Sequence, residues 1–204
     1  MKALLLKDFY VIVKQMKIFL LLIVVFAFIP HFSMAVFSVG YAAMLPFTAL
    51  AYDERSKWDT LARMLPYTSA ASVLDKYVLG YLMMFGAAVI SLLGGAVNVS
   101  FFQSGSMAET LQAVGFGALI GLLFLSIELP FVYRFGIEKG RLVFLGLCAL
   151  TGGIVGGLFG IGGNTASLFS GVSSTLLMGI ICTAVAVIHL LSILLSIHFY
   201  KNKK

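Results

Sequence analysis

Two ionisable residues, Glu128 and His189, interrupt long apolar stretches of the sequence. Such groups could contact a substrate or relay a proton, because ionisable side chains in apolar surroundings are functional candidates. Glu128 could instead reach a membrane surface or pair with Arg134. His189 has no second ligand nearby and fits better as a hydrogen-bonded packing residue. Neither residue predicts a site by itself.

The rest of the sequence lacks a recognisable catalytic or metal-binding motif. No carboxylate pair, Cys/His dyad or H-E-x-x-H motif supports an enzymatic activity, and no G-x-x-x-x-G-K-[ST] loop is present to bind a nucleotide. Cys148 and Cys182 both fall in apolar runs, so neither a disulfide framework nor a metal site is indicated. We therefore predict that the chain is not an enzyme and binds no metal or cofactor of its own.

The composition is that of an integral membrane protein. Of 204 residues, 61% are hydrophobic and 11% are charged, whereas about a quarter are charged in an ordinary soluble domain. The charges also cluster, which leaves four long uncharged runs. Each run reaches or approaches the roughly 20 apolar residues that a helix needs to cross a bilayer.

Breaks within these runs predict six transmembrane helices. Proline at position 30 and the polar residues after it divide the first run, and the small polar residues at 162–165 divide the last. We predict an all-α polytopic membrane protein that forms a single domain over residues 1–204. The predicted helices cover residues 18–30, 34–52, 76–102, 110–134, 142–163 and 173–200.

The distribution of charge gives the predicted helices an orientation. All fourteen basic residues lie in or beside the segments 1–17, 53–75, 135–141 and 201–204. The three loops on the other side hold a single charged residue, Glu109. By the positive-inside rule, both termini should be cytoplasmic. The net charge of +6 then reflects topology and attraction to anionic headgroups, with no basic surface that predicts nucleic-acid binding.

The first seventeen residues are predicted to form an amphipathic helix at the membrane interface. Its apolar side chains recur at helical spacing, with lysines opposite or at the edge of that face. The segment could be a simple anchor, or an elbow helix that flanks a lateral opening to substrate. The apolar residues are Leu5, Phe9, Ile12, Val13 and Met16.

A short helix is predicted within the cytoplasmic segment 53–75. Ser56 and Asp59 form an S-x-x-D capping box, so the helix should begin near Lys57, and Pro66 should end it. One of its faces is apolar and carries the only tryptophan of the chain. Tryptophan suits both a protein interface and the lipid headgroup region, and the sequence leaves these two alternatives open. The apolar residues are Trp58, Leu61, Ala62 and Leu65.

This segment resembles the signature of small ABC-2 type permeases. Its matching elements are Asp53-Glu54, Trp58, Leu65-Pro66 and Lys76-Tyr77. The opening residues 1–8 and the segment 129–141 resemble two further elements of that family. Within the family, the chain resembles the membrane subunits of phenol-soluble modulin exporters. It departs from the pattern at residues 68–71, which lack the usual basic residue after the Leu-Pro step.

The resemblance implies that residues 57–65 form a coupling helix that inserts into a cytoplasmic ATPase, which binds ATP and Mg. It also implies that the loop 134–141 is a second contact with the ATPase. The alternative is that the charges of this loop only set the orientation of the neighbouring helices in the membrane, and that Gly136 ends a helix. The implied coupling residues are Glu54, Trp58, Leu61, Arg63, Leu65, Pro66, Arg134, Glu138, Lys139 and Arg141.

A doubled small-xxx-small pattern lies in the fifth predicted helix and lets another helix approach closely. The resemblance implies that this helix contributes to a dimer interface, and packing within one subunit is the alternative. The residues of the pattern are Gly152, Gly153, Gly156, Gly157 and Gly160.

The sequence and the resemblance together predict the permease subunit of an ABC exporter in the bacterial plasma membrane. It would pair with a second copy or a paralogue, and amphipathic cargo, such as cytolytic or antimicrobial peptides, would suit its apolar, glycine-rich interior. A stand-alone secondary carrier or channel is the alternative. An integral-membrane enzyme is a weaker one, because the sequence has no catalytic constellation.

Overall fold

The computed structural model describes residues 2–29, 32–65, 67–101, 103, 105–160 and 174–202, and within them the chain forms nine helices and no strands. The all-α prediction is therefore confirmed for this part of the chain. The helices are α1 Lys2–Gln15, α2 Lys17–Phe28, α3 Phe32–Ala42, α4 Leu45–Arg55, α5 Trp58–Met64, α6 Ser69–Phe101, α7 Met107–Phe135, α8 Ile137–Gly160 and α9 Ser174–Asn202.

Four of the described segments are long and apolar enough to cross a membrane: Met34–Arg55, Ser69–Phe101, Met107–Phe135 and Met178–Asn202. Large apolar side chains on these segments are exposed, as a lipid environment requires. The chain is thus a multi-pass membrane protein, and the count of six crossings stays a prediction. The loop predicted near residues 164–172 lies outside the described residues.

The first predicted transmembrane helix is short in the structure. Helix α2 has 12 residues, which extend over about 18 Å and fall well short of the ~30 Å hydrocarbon core. It meets α1 at a bend of 80°, and the two helices are long and apolar enough to cross a membrane only when they are taken together. Pro30, which was expected to end this helix, lies outside the described residues.

The second predicted helix is broken where the sequence analysis expected a continuous one. A turn at Ala43 and Met44 separates α3 from α4. Pro46 lies in the first turn of α4, where its missing N–H and its ring are tolerated, whereas in a continuous helix they would disrupt the preceding turn. The main-chain N–H groups of Ala43 and Met44 donate instead to the carbonyl groups three residues earlier.

Close packing between the helices depends on glycines outside the predicted small-xxx-small pattern. A Cβ at Gly117 of α7 would lie 2.9 Å from the carbonyl oxygen of Val36 in α3. Gly94 of α6 approaches the backbone of Ala27 in α2 even more closely. By contrast, a Cβ at Gly153 would have no described atom within 4 Å. The other four glycines of the pattern lie in α8, and their surroundings are outside the described part of the structure.

The ends of several helices meet at one end of the bundle, beside α5. Residues from α1, α4, α5, α6, α7, α8 and α9 line one small cavity there, of about 40 Å³. Because these helices run in alternating directions, the C-termini of α4, α7 and α9 lie beside the N-termini of α6 and α8. We call this end of the molecule the α5 end.

Candidate functional site

A ring of four ion pairs joins three separate parts of the chain at the α5 end. Lys7 and Asp8 come from α1, Asp53 from the last turns of α4, and Lys76 from the N-terminal part of α6. The Lys7 Nζ lies 2.7 Å from Asp8 Oδ1 and 2.6 Å from Asp53 Oδ1. The Lys76 Nζ lies 2.6 Å from Asp53 Oδ2 and also pairs with Asp8. Acidic and basic groups therefore alternate around a closed ring.

Three of the four members of the ring are buried, so their charges need partners within the protein. Asp8 is 1% exposed, Lys76 4% and Asp53 7%. An unpaired charge at such a depth would cost several kcal/mol in lost hydration. Burial raises the pKa of the Asp8 carboxyl, but the positive charge of Lys76 and hydrogen bonds from neighbouring side chains outweigh that effect, so the pKa lies below its ordinary value of 3.8.

A fifth ionisable residue, Asp75, lies against the ring. Its carboxyl group is buried beside that of Asp8, and its Oδ1 has no hydrogen-bond partner among the described residues. The ring itself consists of two lysines and two aspartates, so the formal charges of its four members balance.

Trp58 connects the ring to the short helix α5. The Lys7 Nζ lies 4.2 Å from the centroid of the Trp58 ring, a cation–π contact. Trp58 and Glu54 line the small cavity together with Lys7 and Lys76. This contact joins α5 to α1.

The predicted apolar face of α5 is buried on one side and exposed on the other. Ala62 is buried and Trp58 is half-buried against the protein. Leu61 is 54% exposed, and Met64 and Leu65 also point outward. The helix thus presents apolar side chains to its surroundings at the α5 end. The side chain of Arg63 and all of Pro66 lie outside the described residues.

The predicted capping box is wrong. Lys57, with φ of 53°, is the N-cap of α5, and no side chain caps the helix. Ser56 still belongs to the end of α4: its N–H donates to the Tyr52 carbonyl, and its hydroxyl donates to the Asp53 carbonyl at 3.2 Å. Lys57 therefore occupies the N-cap position that the box assigned to Ser56, and the hydroxyl hydrogen of Ser56 closes the preceding helix instead.

The second predicted contact loop lies at the same end. Gly136, with φ of 82°, separates α7 from α8, as the predicted helix stop requires. The Arg134 guanidinium lies over the rings of Phe135 and Phe199, at 5.1 and 5.2 Å from their centroids. Glu138, Lys139 and Arg141 are exposed in the first turns of α8.

The two intramembrane candidates lie apart from the ring. Glu128 is 2% exposed, and its Oε1 has no hydrogen-bond partner among the described residues. It does not pair with Arg134 in the described ion pairs, because the two residues are six positions apart and lie on different faces of α7. His189 is hydrogen-bonded at both ring nitrogens, to Ser126 at 2.6 Å and to the Tyr81 hydroxyl.

The four residues of the ring fall within the segments that carry the family resemblance, but their pairing was not predicted from the sequence. One local signal was available. Leu4, Asp8 and Ile12 are the buried residues of α1 and recur at intervals of four, so an acidic residue lies on the packed face of that helix. Phe9 and Val13, predicted to share that face with Ile12, are 40% and 38% exposed.

Comparison with known families places the whole chain in context. Residues 3–201 match the family described as ABC-2 family transporter protein. No curated protein sequence and no solved structure matches the chain.

Proposed function

Because the chain belongs to the ABC-2 transporter family, we propose that it is the membrane-spanning permease subunit of an ABC exporter. In this proposal a separate cytoplasmic ATPase binds ATP and Mg and carries out hydrolysis. The chain supplies the pathway, together with a second copy or a paralogue, in the bacterial plasma membrane. Both termini and the α5 end face the cytoplasm, as the positive-inside rule favours.

The observation that carries the coupling mechanism is the ring of ion pairs beside α5. A seven-residue helix is too short to be rigid alone, so it needs a firm attachment to transmit motion. The Lys7–Trp58 contact and the Lys7–Asp53–Lys76 pairs attach it to α1 and α6. When the ATPase moves α5, the ring passes that motion to α6 and to the interfacial helix.

The docking surface in this proposal is the outward apolar face of α5. Leu61, Met64 and Leu65 are exposed outside the predicted bilayer, where apolar side chains without a partner are unfavourable. A groove on the ATPase would cover them. Glu54, Arg134, Glu138, Lys139 and Arg141 would supply charged contacts around this face, and Arg63 and Pro66 complete the set.

The proposed cargo is an amphipathic molecule, with cytolytic or antimicrobial peptides as the first candidates. This part of the proposal rests on the resemblance to modulin exporters and on the apolar helices that would enclose the pathway. The glycines of α8, Gly152, Gly153, Gly156, Gly157 and Gly160, are the proposed close contact between subunits, because small residues let membrane helices approach.

The test is co-purification with a co-expressed ABC ATPase from the same organism. Leu61→Asp places a carboxylate in the proposed interface and should abolish retention of the ATPase, because an unpaired charge is costly to desolvate. Leu61→Met keeps the apolar surface and should retain the ATPase like the native chain. Both variants must elute as monodisperse species in detergent. Equal retention by Leu61→Asp and Leu61→Met would refute the assignment of α5.

A stand-alone carrier is the second candidate, and Glu128 is the observation in its favour. A buried carboxyl group without a described partner inside a membrane segment is a possible cation or proton site. Transport by the chain alone in proteoliposomes, driven by an ion gradient and lost in Glu128→Gln, would support this candidate. Transport that requires both the ATPase and ATP would exclude it.

A further inference from the structure

A large groove at the α5 end has the shape and charge of a lipid site. It lies between α2, α3, α4 and α8 and encloses about 410 Å³. Its walls are mostly apolar and aromatic and include Phe19, Tyr41, Phe47 and Leu145. We propose that this groove binds one anionic phospholipid, with an acyl chain along its walls and the phosphate at its arginine end.

Two arginines identify the anionic end of the groove. Arg55 lies at the C-terminus of α4 and Arg141 near the N-terminus of α8, so both lie at the α5 end. Neither residue belongs to an ion pair among the described residues. Both arginines line the groove and both are exposed, so each is available to donate paired hydrogen bonds to a lipid phosphate.

The length of the groove fits a lipid better than a free anion. Leu45, Thr48, Tyr52 and Arg55 form a stripe along α4 that lines the groove. The ten residue steps from Leu45 to Arg55 rise about 15 Å along the helix, which equals the thickness of one leaflet of a ~30 Å hydrocarbon core. The charged end is therefore at headgroup level when the apolar end reaches the bilayer centre.

The groove and the ring of ion pairs share helix α4. On α4, Tyr52 and Arg55 of the groove lie on either side of Asp53 of the ring. Ala51 and Phe47, one and two turns before Arg55, also line the groove. A lipid in the groove would pack against the helix that leads into α5. Arg141 is also one of the proposed ATPase contacts, so the two proposals share that residue, and an assay on the chain alone in vesicles, without an ATPase, tests the lipid site separately.

Fluorescence quenching by brominated lipids tests the proposal at one position. In a Trp58→Phe background, Leu145→Trp places the only indole in the groove, at a residue that is 61% exposed. Leu194→Trp is the matched control, since Leu194 is 65% exposed on α9. Both positions lie at a similar depth: Leu145 is eight residues after Ile137, where α8 begins, and Leu194 is eight residues before Asn202, where α9 ends. Quenching by brominated phosphatidylglycerol is compared with quenching by brominated phosphatidylcholine in mixed vesicles.

The indole at position 145 should prefer phosphatidylglycerol on the order of tenfold, because each basic residue near a membrane surface strengthens binding of an anionic lipid several-fold. The indole at position 194 should show no preference. Arg55→Gln combined with Arg141→Gln should remove the preference at position 145, and each single variant should reduce it.

Three results would overturn the proposal. The first is an equal response to both lipids at position 145 in the protein that retains both arginines. The second is a preference that survives in the double arginine variant. The third is an indole at position 145 that neither lipid quenches, which would mean that a second copy or the cargo covers the groove.

Discussion

Removing Lys76 from the ring should destabilise the protein far more than removing an exposed lysine. Its Nζ lies 2.6 Å from Asp53 Oδ2 and pairs also with Asp8. At 2.6 Å each attraction is worth about 6 kcal/mol at an effective dielectric constant of about 20, before the desolvation cost is subtracted. The variant Lys76→Gln leaves two buried carboxylates that share one lysine, so we expect the free energy of unfolding to fall by about 3–5 kcal/mol.

A second substitution should restore part of that loss. Asp53→Asn in the Lys76→Gln background removes the surplus carboxylate and leaves Lys7 and Asp8 as a neutral pair. The double variant should recover roughly 1–3 kcal/mol, a coupling typical of residues in one network. Lys14→Gln is the matched control, because Lys14 is an exposed lysine in the last turn of α1, and its effect should stay within about 0.5 kcal/mol.

Reversible denaturation in mild detergent measures these differences, followed by helical circular dichroism. Transport and ATPase coupling should remain impaired in the double variant even where stability returns, because α1, α4 and α6 are no longer joined by Lys76. The reasoning is refuted if Lys76→Gln costs no more than Lys14→Gln. It is refuted equally if the double variant loses the sum of its two single losses.

Three further predictions concern packing, pH and the intramembrane polar network. Gly117→Ala should cost about 1–3 kcal/mol of stability, because the added Cβ would meet the backbone of α3. Gly115→Ala, which has open space around it, should be neutral or slightly stabilising. The melting temperatures of the two variants check this. The Asp8 pKa is lower in the folded protein than its ordinary 3.8, so the ring's stabilisation should be complete above that value and decline as pH falls through the folded-state pKa; a melting temperature that rises on acidification from pH 5 to pH 3 would contradict it. His189→Leu removes the bond to Ser126 and should lower stability by about 1–2 kcal/mol, with Ser126→Ala adding little in the double variant; additive losses would argue against a shared network.

The features that the sequence predicted correctly all depend on local composition. Apolar runs of sufficient length specify helices in a membrane whatever their neighbours are, because backbone groups in lipid must be paired within the helix. The all-α class and the multi-pass character followed from that requirement alone. Membership of the ABC-2 family likewise rested on short contiguous segments, such as Asp53-Glu54 and Lys76-Tyr77.

Errors arose where two neighbouring elements compete for one residue. Ser56 satisfied the pattern of a helix start, but its hydroxyl bonds back to Asp53 at the end of α4. The run 34–52 was interpreted as one continuous helix, and the segment Met34–Arg55 is indeed one membrane-length segment, but Pro46 lies in the first turn after a local turn at residues 43 and 44. Local patterns permit both outcomes in each case, and the direction of the flanking helices decides between them.

The candidate site itself was decided by tertiary structure. Lys7, Asp53 and Lys76 are separated by 46 and 23 positions along the chain, and each, taken alone, resembles the topological charge that flanks any membrane helix. Which helix approaches which depends on close backbone contacts such as Gly94 on Ala27 and Gly117 on Val36, and spacing along the sequence carries no information about that choice. A charge beside a membrane helix follows from the sequence, but a charge buried in a closed ring exists only once the packed helices have excluded water from it.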